Sequence, residues 1–194
     1  MPIEANDYFI IDDLQLIREL YAEGKYLEGI KKASILKNNL KSSAYKKKFY
    51  CNICKLLGLG YRKIRNFQSA NATLSDGINF CDTMARQTGD KKWSKESAIL
   101  RVNRGIVFEE AGNISYALNE YFFGETVFNE ESDSFQLSLL YQTIILALCK
   151  THETDKAELY LNKLQRLAES SHIQLDNEIN LLSSHIKEAK IEDD

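Results

Sequence analysis

The sequence predicts an all-α chain, an α-solenoid of about four stacked helix hairpins closed by a C-terminal capping helix. Three observations carry this. The only proline stands at position 2, so no later helix is interrupted by one. Apolar residues recur at helical and not strand intervals, as in Leu14, Ile17, Leu20 and Tyr21, and in Ala157, Tyr160, Leu161, Leu164 and Leu167. The chain also resembles itself at an interval of about forty residues, the mark of a repeat architecture.

The copies can be taken in order. The first reads Leu16, Leu20, Gly24-Lys25-Tyr26 and Glu28-Gly29-Ile30. The second reads Leu57-Gly58, Tyr61, Phe67, Ala70, Leu74 and Gly77-Ile78, and the third Gly105, Phe108, Gly112-Asn113, Ala117-Leu118, Tyr121 and Gly124. A fainter fourth reads Tyr141, Ile144-Ile145, Leu148, Ala157 and Leu161. Each copy describes a helix hairpin. Gly58 and Gly105 let the second helix cross close to the first, and Tyr61 and Phe108 fill the space beside the crossing. Gly29, Ala70, Ala117 and Ala157 are the reciprocal small contacts. Gly24 and Gly112 suit a short turn that needs a positive φ. One hairpin cannot bury both its faces, so the copies must stack. The expected repeats span 10–43, 44–90, 91–133 and 134–170, with a capping helix over 175–190, in one domain over 1–194. Loop signals fall at Asn38-Asn39, Thr88-Gly89-Asp90, Asn129 to Asp133 and Ser170-Ser171, with Asp90 and Asp133 as candidate caps.

These residues resemble the tetratricopeptide repeat (TPR), whose pattern is an aromatic, Leu-Gly, Tyr, a turn Gly, Ala, an aromatic and Ala, closed by Pro. The second and third copies match well, the first partly and the fourth weakly. The closing Pro is absent, and the period exceeds the family's thirty-four residues. Lengthened repeats of this kind look like those of bacterial peptide-sensing and signalling proteins. The resemblance implies a non-catalytic adaptor or scaffold that binds a protein or peptide segment on the concave face made by the first helix of each hairpin. A peptide-sensing regulatory module is the alternative.

Projecting the family's groove positions onto this chain selects Arg18 with Ile11, Leu14 and Tyr21 in the first copy. In the second it selects Asn52, Lys55, Leu59, Arg62 and Lys63. The third contributes Ile99, Val102, Asn103, Ile106, Glu109 and Glu110, and the fourth Leu139, Gln142 and Leu146. Asn52, Asn103 and Gln142 can donate and accept at once, which suits an extended peptide backbone. Lys55, Arg62 and Lys63 favour an acidic side chain or a free carboxylate. The two-Lys, two-Asn, one-Arg clamp of chaperone-binding members is not matched, because Leu14 and Arg18 stand where it needs Lys and Asn. Arg101 and Arg104 occupy positions the repeat gives to apolar residues, so they must extend to solvent or meet acids such as Glu109 and Glu120.

The net charge of −3 hides a segregation: residues 29–75 hold eleven basic residues and no acid, and residues 105–149 hold seven acids and no base. The basic block, with Lys46-Lys47-Lys48, Lys55, Arg62, Lys63 and Arg65 interleaved with Tyr45, Tyr50 and Tyr61, raises nucleic acid as a further alternative. The chain's overall acidity and the packing role of Tyr61 weigh against it. They favour an acidic protein partner, or self-association between the basic and acidic hairpins, and stacking in chain order would carry the segregation into space. The lone Cys51-x-x-Cys54 lies inside a helix without a second ligand pair, so it is read as buried thiols and not a metal site. No catalytic motif, glycine-rich phosphate loop, cofactor signature or long apolar span is present, and the first residues lack a basic leader, which together point to a cytoplasmic, non-enzymatic protein.

Overall fold

The fold begins with the turns. In a computed structural model that describes residues 5–40, 46–130 and 132–191, every described regular element is an α-helix. They are α1 (Ala5–Ala22), α2 (Tyr26–Leu40), α3 (Lys46–Lys63), α4 (Phe67–Thr88), α5 (Lys91–Glu110), α6 (Ile114–Val127), α7 (Ser134–Cys149), α8 (Thr154–Ser171) and α9 (Asp176–Ile191). Five of the connections share one backbone design, one of them at His172 between α8 and α9 (φ +54°). Gly24, Arg65, Gly112 and His152 all take a positive φ, from +56° to +84°. At each, the residue's own N–H and the next N–H reach back to carbonyls of the preceding helix. Examples are Arg65 N to Arg62 O at 2.8 Å and Asn66 N to Tyr61 O at 2.9 Å, matched by Gly112 N to Glu109 O and Asn113 N to Phe108 O. This is the Schellman termination, which satisfies the orphan carbonyls of the last turn and reverses the chain at once. It makes hairpins of α1/α2, α3/α4 and α7/α8, and in the second unit it turns the chain between the end of α5 and α6.

Some sequence-based boundaries move. Asn38-Asn39 lies inside α2 and Ser170-Ser171 inside α8, because apolar Leu36, Leu40, Leu164 and Leu167 continue each buried stripe through these polar residues. Asp90 does cap α5, accepting from Lys92 N at 2.9 Å. Asp133 precedes α7 but makes no side-chain cap; its carboxylate instead accepts from Asn129 N and Ser132 Oγ.

The chain divides into two compact units, Met1–Val107 and Phe108–Asp194. In the first, α1 packs on α2 and α3, α2 on α3, and α3 on α4. Helix α3 is buried on two sides. Phe49, Ile53 and Leu57 join Leu14, Ile17, Ile30, Ala33 and Leu36, while Tyr50, Cys51 and Cys54 join Ala70, Leu74, Ile78, Cys81 and Leu100. Each fully buried Leu or Ile contributes about 1.5–3 kcal/mol, so a hairpin alone would leave half of this unrealised. The small residues set the spacing. A Cβ at Gly58 would lie 2.7 Å from Leu74, one at Gly29 2.3 Å from the Tyr21 ring, and Ala70 is fully buried.

In the second unit α6 packs on α7, α7 on α8, and α9 on both α7 and α8. Ala117 and Ala157 are fully buried at the two crossings, and Tyr121, Ile144, Ile145, Leu148 and Leu164 form the core between them. Helix α9 covers the last hairpin with Leu182, Ile186 and Ala189. His152 tethers it, its ring Nδ1 standing 3.3 Å from the Ala189 carbonyl.

Candidate functional site

The positive-φ turns give a common ruler for the first helices. Thirteen residues before each stand Ile11, Asn52, Ile99 and Leu139; six before stand Arg18, Leu59, Ile106 and Leu146. These positions lie on one stripe of a helix, two turns apart. Ile11, Arg18, Leu139 and Leu146 are exposed there, whereas Asn52, Leu59, Ile99 and Ile106 are half-buried, Leu59 against the core of α1, α2 and α3.

Within the first unit, Arg18 and Lys63 are exposed, and Asn52, Lys55, Arg62 and Asn103 are half-buried. The structure shows α1 beside α3, and α3 joined to α5 by an ion pair from Lys55 Nζ to Glu96 at 3.2 Å. Lys55 therefore already has a carboxylate partner. Asn103 directs its amide N–H to the Ile99 carbonyl at 2.8 Å, within its own helix. Leu14 and Tyr21, projected as groove-facing, are buried at 4% and 7% exposure: α1 is turned so that both enter the core shared with α2 and α3. Tyr21 has its hydroxyl buried without a hydrogen-bond partner against Gly60, and burial, with Tyr61 nearby, holds its pKa well above the usual tyrosine value.

Arg101 and Arg104 have partners on α4 that the sequence did not suggest. Arg101 Nη2 donates to Asp82 at 3.0 Å, and Arg104 Nη1 donates to Ser75 Oγ at 2.9 Å, both across the α4–α5 contact. Ser97 Oγ completes the Asp82 site at 2.6 Å. A half-buried guanidinium is thus matched by a carboxylate that also accepts a hydroxyl, which offsets its desolvation.

Within the second unit Glu109 lies inward. Its carboxylate accepts from Tyr121 Oη at 2.7 Å and from Lys150 Nζ at 2.6 Å, and its side chain is only 14% exposed. Gln142 is half-buried on α7, flanked by Leu139 and Leu146, which are 50% and 37% exposed. One turn before Leu139 stands Phe135, 63% exposed. Helix α7 contains no charged residue, so Phe135, Leu139, Gln142 and Leu146 form an uncharged, mainly apolar stripe at the surface. Phe135 was absent from the sequence-derived set, although the i, i+4, i+7, i+11 spacing from 135 to 146 would have found it.

The charge blocks are partly neutralised inside each unit. Lys32 pairs with Asp13 at 2.7 Å, Lys37 with Asp76 at 2.7 Å and Lys55 with Glu96, all acids from outside the basic block. Glu125 of the acidic block accepts from Lys163 Nζ and from Tyr160 Oη, each at 2.6 Å. Tyr45 and the side chains of Lys46, Lys47 and Lys48, part of the sequence-derived basic stripe, lie outside the described residues. Among the described residues no cluster of His, Cys, Asp and Glu could hold a metal, and no helix is long and apolar enough to cross a membrane.

No family model matches the chain, and no curated protein matches it significantly. A solved structure does: the nearly identical TPR-like repeats of a Podosopora anserina protein described as a kinesin light chain superpose with a TM-score of 0.65. The match covers 94% of this chain and 95% of that one, at 10% sequence identity. At that identity the likeness establishes the fold, an all-helical stack of TPR-like hairpins.

Proposed function

We propose that this chain is a non-catalytic binding module that holds an extended protein or peptide segment on the face made by the first helices of its hairpins. The observation that carries this is the α7 stripe. Phe135, Leu139 and Leu146 stand in a row at the surface of a helix without charge, on either side of an amide that can pair with a peptide backbone. A row of partly exposed apolar side chains marks a surface awaiting a partner more strongly than scattered ones do. In the first unit Arg18, Asn52, Arg62 and Lys63 supply polar and basic contacts on the corresponding face, which suits a segment with acidic residues. Lys55, Asn103 and Glu109 contribute less directly than the sequence implied, since each already bonds within the chain.

The test is selection of a displayed random-peptide library on the full chain, followed by titration of the isolates against two double variants. Leu139→Asp with Leu146→Asp removes the apolar stripe, and Arg62→Glu with Lys63→Glu reverses the basic end of α3. Lys55 is left alone, because a glutamate there would face Glu96. Covering the exposed part of two leucines is worth roughly 1–3 kcal/mol together, so the α7 variant should lose about 5- to 150-fold in affinity with unchanged helical circular dichroism. If neither variant weakens any selected peptide, this face is not the binding surface.

A further inference from the structure

The α3–α4 crossing brings two cysteines together. Going away from the turn, Gly58 faces Leu74, Cys54 faces Gly77, and Cys51 faces Cys81. At the last of these steps the two Sγ atoms are 2.6 Å apart. That is well inside ordinary contact between two sulfurs and about half an ångström beyond a disulfide bond. Both are free thiols, and both are buried, at 6% and 0% exposure. Their position is fixed from both helices. The preceding residues, Tyr50 and Phe80, are in ring contact at 5.0 Å, and Phe80 meets Trp93 of α5 edge-on at 5.7 Å. The two sulfurs have only about half an ångström to close.

We propose that Cys51 and Cys81 form an oxidation site that closes to a disulfide within the second hairpin, with a hydroperoxide as oxidant. The chemistry balances with hydrogen peroxide. The first thiol, as thiolate, attacks a peroxide oxygen; the S–O bond forms, the O–O bond breaks, and one water leaves with the thiol's proton. The sulfur of the second thiol then attacks the sulfenic sulfur; the S–S bond forms, the S–O bond breaks, and a second water leaves. Two thiols and one peroxide yield one disulfide and two waters. Cys51 is the sulfur that peroxide meets first, since Cys81 is wholly enclosed; the neighbouring Cys81 thiol and burial hold the Cys51 thiol well above the usual cysteine range, so its thiolate is scarce in the closed structure. Burial makes the reaction wait on local opening, so it is slow. Once formed, the bond is shielded from reductants by the same packing. It ties α3 to α4 at the end of the hairpin opposite the Arg65 turn. Cys54 cannot take the place of Cys51, because it faces Gly77.

The experiment uses the full chain, reduced, desalted and incubated with hydrogen peroxide at low molar excess. Intact mass, thiol titration in denaturant, non-reducing peptide mapping and thermal unfolding are then followed. The expected result is loss of about 2 Da and of two thiols per chain, a cross-linked Cys51–Cys81 peptide, and a melting temperature raised by roughly 5–10 °C that dithiothreitol reverses. A chain carrying Cys54→Ala and Cys149→Ala should behave in the same way, and one carrying Cys81→Ala should give neither the cross-link nor the shift. Four intact thiols after prolonged exposure, a Cys51–Cys54 link, disulfide dimers through Cys149, or sulfinic acid without a cross-link would each overturn the proposal.

Discussion

The Schellman turns form a built-in comparison, because one backbone conformation is occupied by Gly24, Arg65, Gly112 and His152, and by His172 between α8 and α9. Consider Gly112→Ala. A Cβ at Gly112 meets no atom within 4 Å, so the substitution introduces no clash and isolates the backbone effect. An L-residue in the left-handed region costs about 1–2 kcal/mol, while removing glycine's freedom from the unfolded chain returns about 0.4–1 kcal/mol. The difference is a destabilisation of about 0.8 kcal/mol, or a fall of about 2–3 °C in melting temperature. Arg65→Gly runs in the opposite direction. It relieves the same conformational cost at φ +58° and gives up an exposed cation–π contact with Phe67 at 5.9 Å, worth about 0.5 kcal/mol. A net gain of a few tenths of a kcal/mol is expected. Urea unfolding followed by far-ultraviolet circular dichroism decides the matter, read as a shift in midpoint at constant slope. If Gly112→Ala leaves the midpoint unchanged while Arg65→Gly lowers it, the turns do not share this conformation and the repeat register built on them is wrong.

Two further outcomes follow from the packing. Gly60→Ala would place a Cβ 2.3 Å from the Tyr21 hydroxyl and 2.7 Å from Ile30, an overpacking that should cost about 1–3 kcal/mol; Tyr21→Phe, which removes an unpartnered buried hydroxyl, should recover part of it in the double variant, measured by the same unfolding assay. Alkaline stability carries a sign that can be worked out. Burial pushes Tyr141 and Cys54 up to about 12, and holds Tyr160, which donates to Glu125, above its ordinary value. Groups with a raised folded pKa contribute fully below their unfolded pKa, and the contribution is lost as pH rises through the folded value. Unfolding should therefore set in above pH 10, with the ionisation of Tyr141, read as the tyrosinate absorbance difference between the chain and its Tyr141→Phe variant, rising together with the loss of helical signal; ionisation of Tyr141 in a still-helical chain at pH 10.5 would contradict it.

What the sequence revealed depended on whether a residue's type announces its role. Gly24, Gly58, Gly112, Ala70 and Ala117 were legible because a missing or minimal side chain at a fixed spacing has few structural explanations. Arg65 and His152 were not, since either can occupy a left-handed turn without any mark in its chemistry; only the offsets from Gly24 and Gly112 expose them. The stripe on α7 was legible by helical period, yet the stripe on α1 was misplaced. Leu14 sits one position from the exposed Gln15, and a rotation of one residue, about 100°, carries a side chain from surface to core. The partners of Lys55, Glu109 and Arg101 could not be read from periodicity at all, because each lies on a neighbouring helix and within-helix spacing says nothing about which residues meet there.

That same geometry changes the meaning of the charge pattern. In a stack of hairpins about forty residues long, a side chain on one helix meets its counterpart one repeat later or earlier. Lys55 and Glu96 are 41 residues apart, as are Glu109 and Lys150; Lys37 and Asp76 are 39 apart, and Glu125 and Lys163 38. Charges segregated along the chain in blocks of about one repeat are therefore brought face to face with the opposite sign when the helices stack. Each such pair, partly exposed, adds little stability, about 0–1 kcal/mol. Their larger effect is to remove charge from the surface: a cation already satisfied by a carboxylate is a poor ligand for phosphate, and a polyanion needs several free cations on one face. Within the first unit part of the basic block meets acids one repeat later, as Lys37 meets Asp76 and Lys55 meets Glu96, and within the second unit part of the acidic block meets lysines one repeat later, as Glu109 meets Lys150 and Glu125 meets Lys163. Beside these pairs the uncharged stripe of α7 stays at the surface of the second unit, and Arg18 and Lys63 stay exposed in the first.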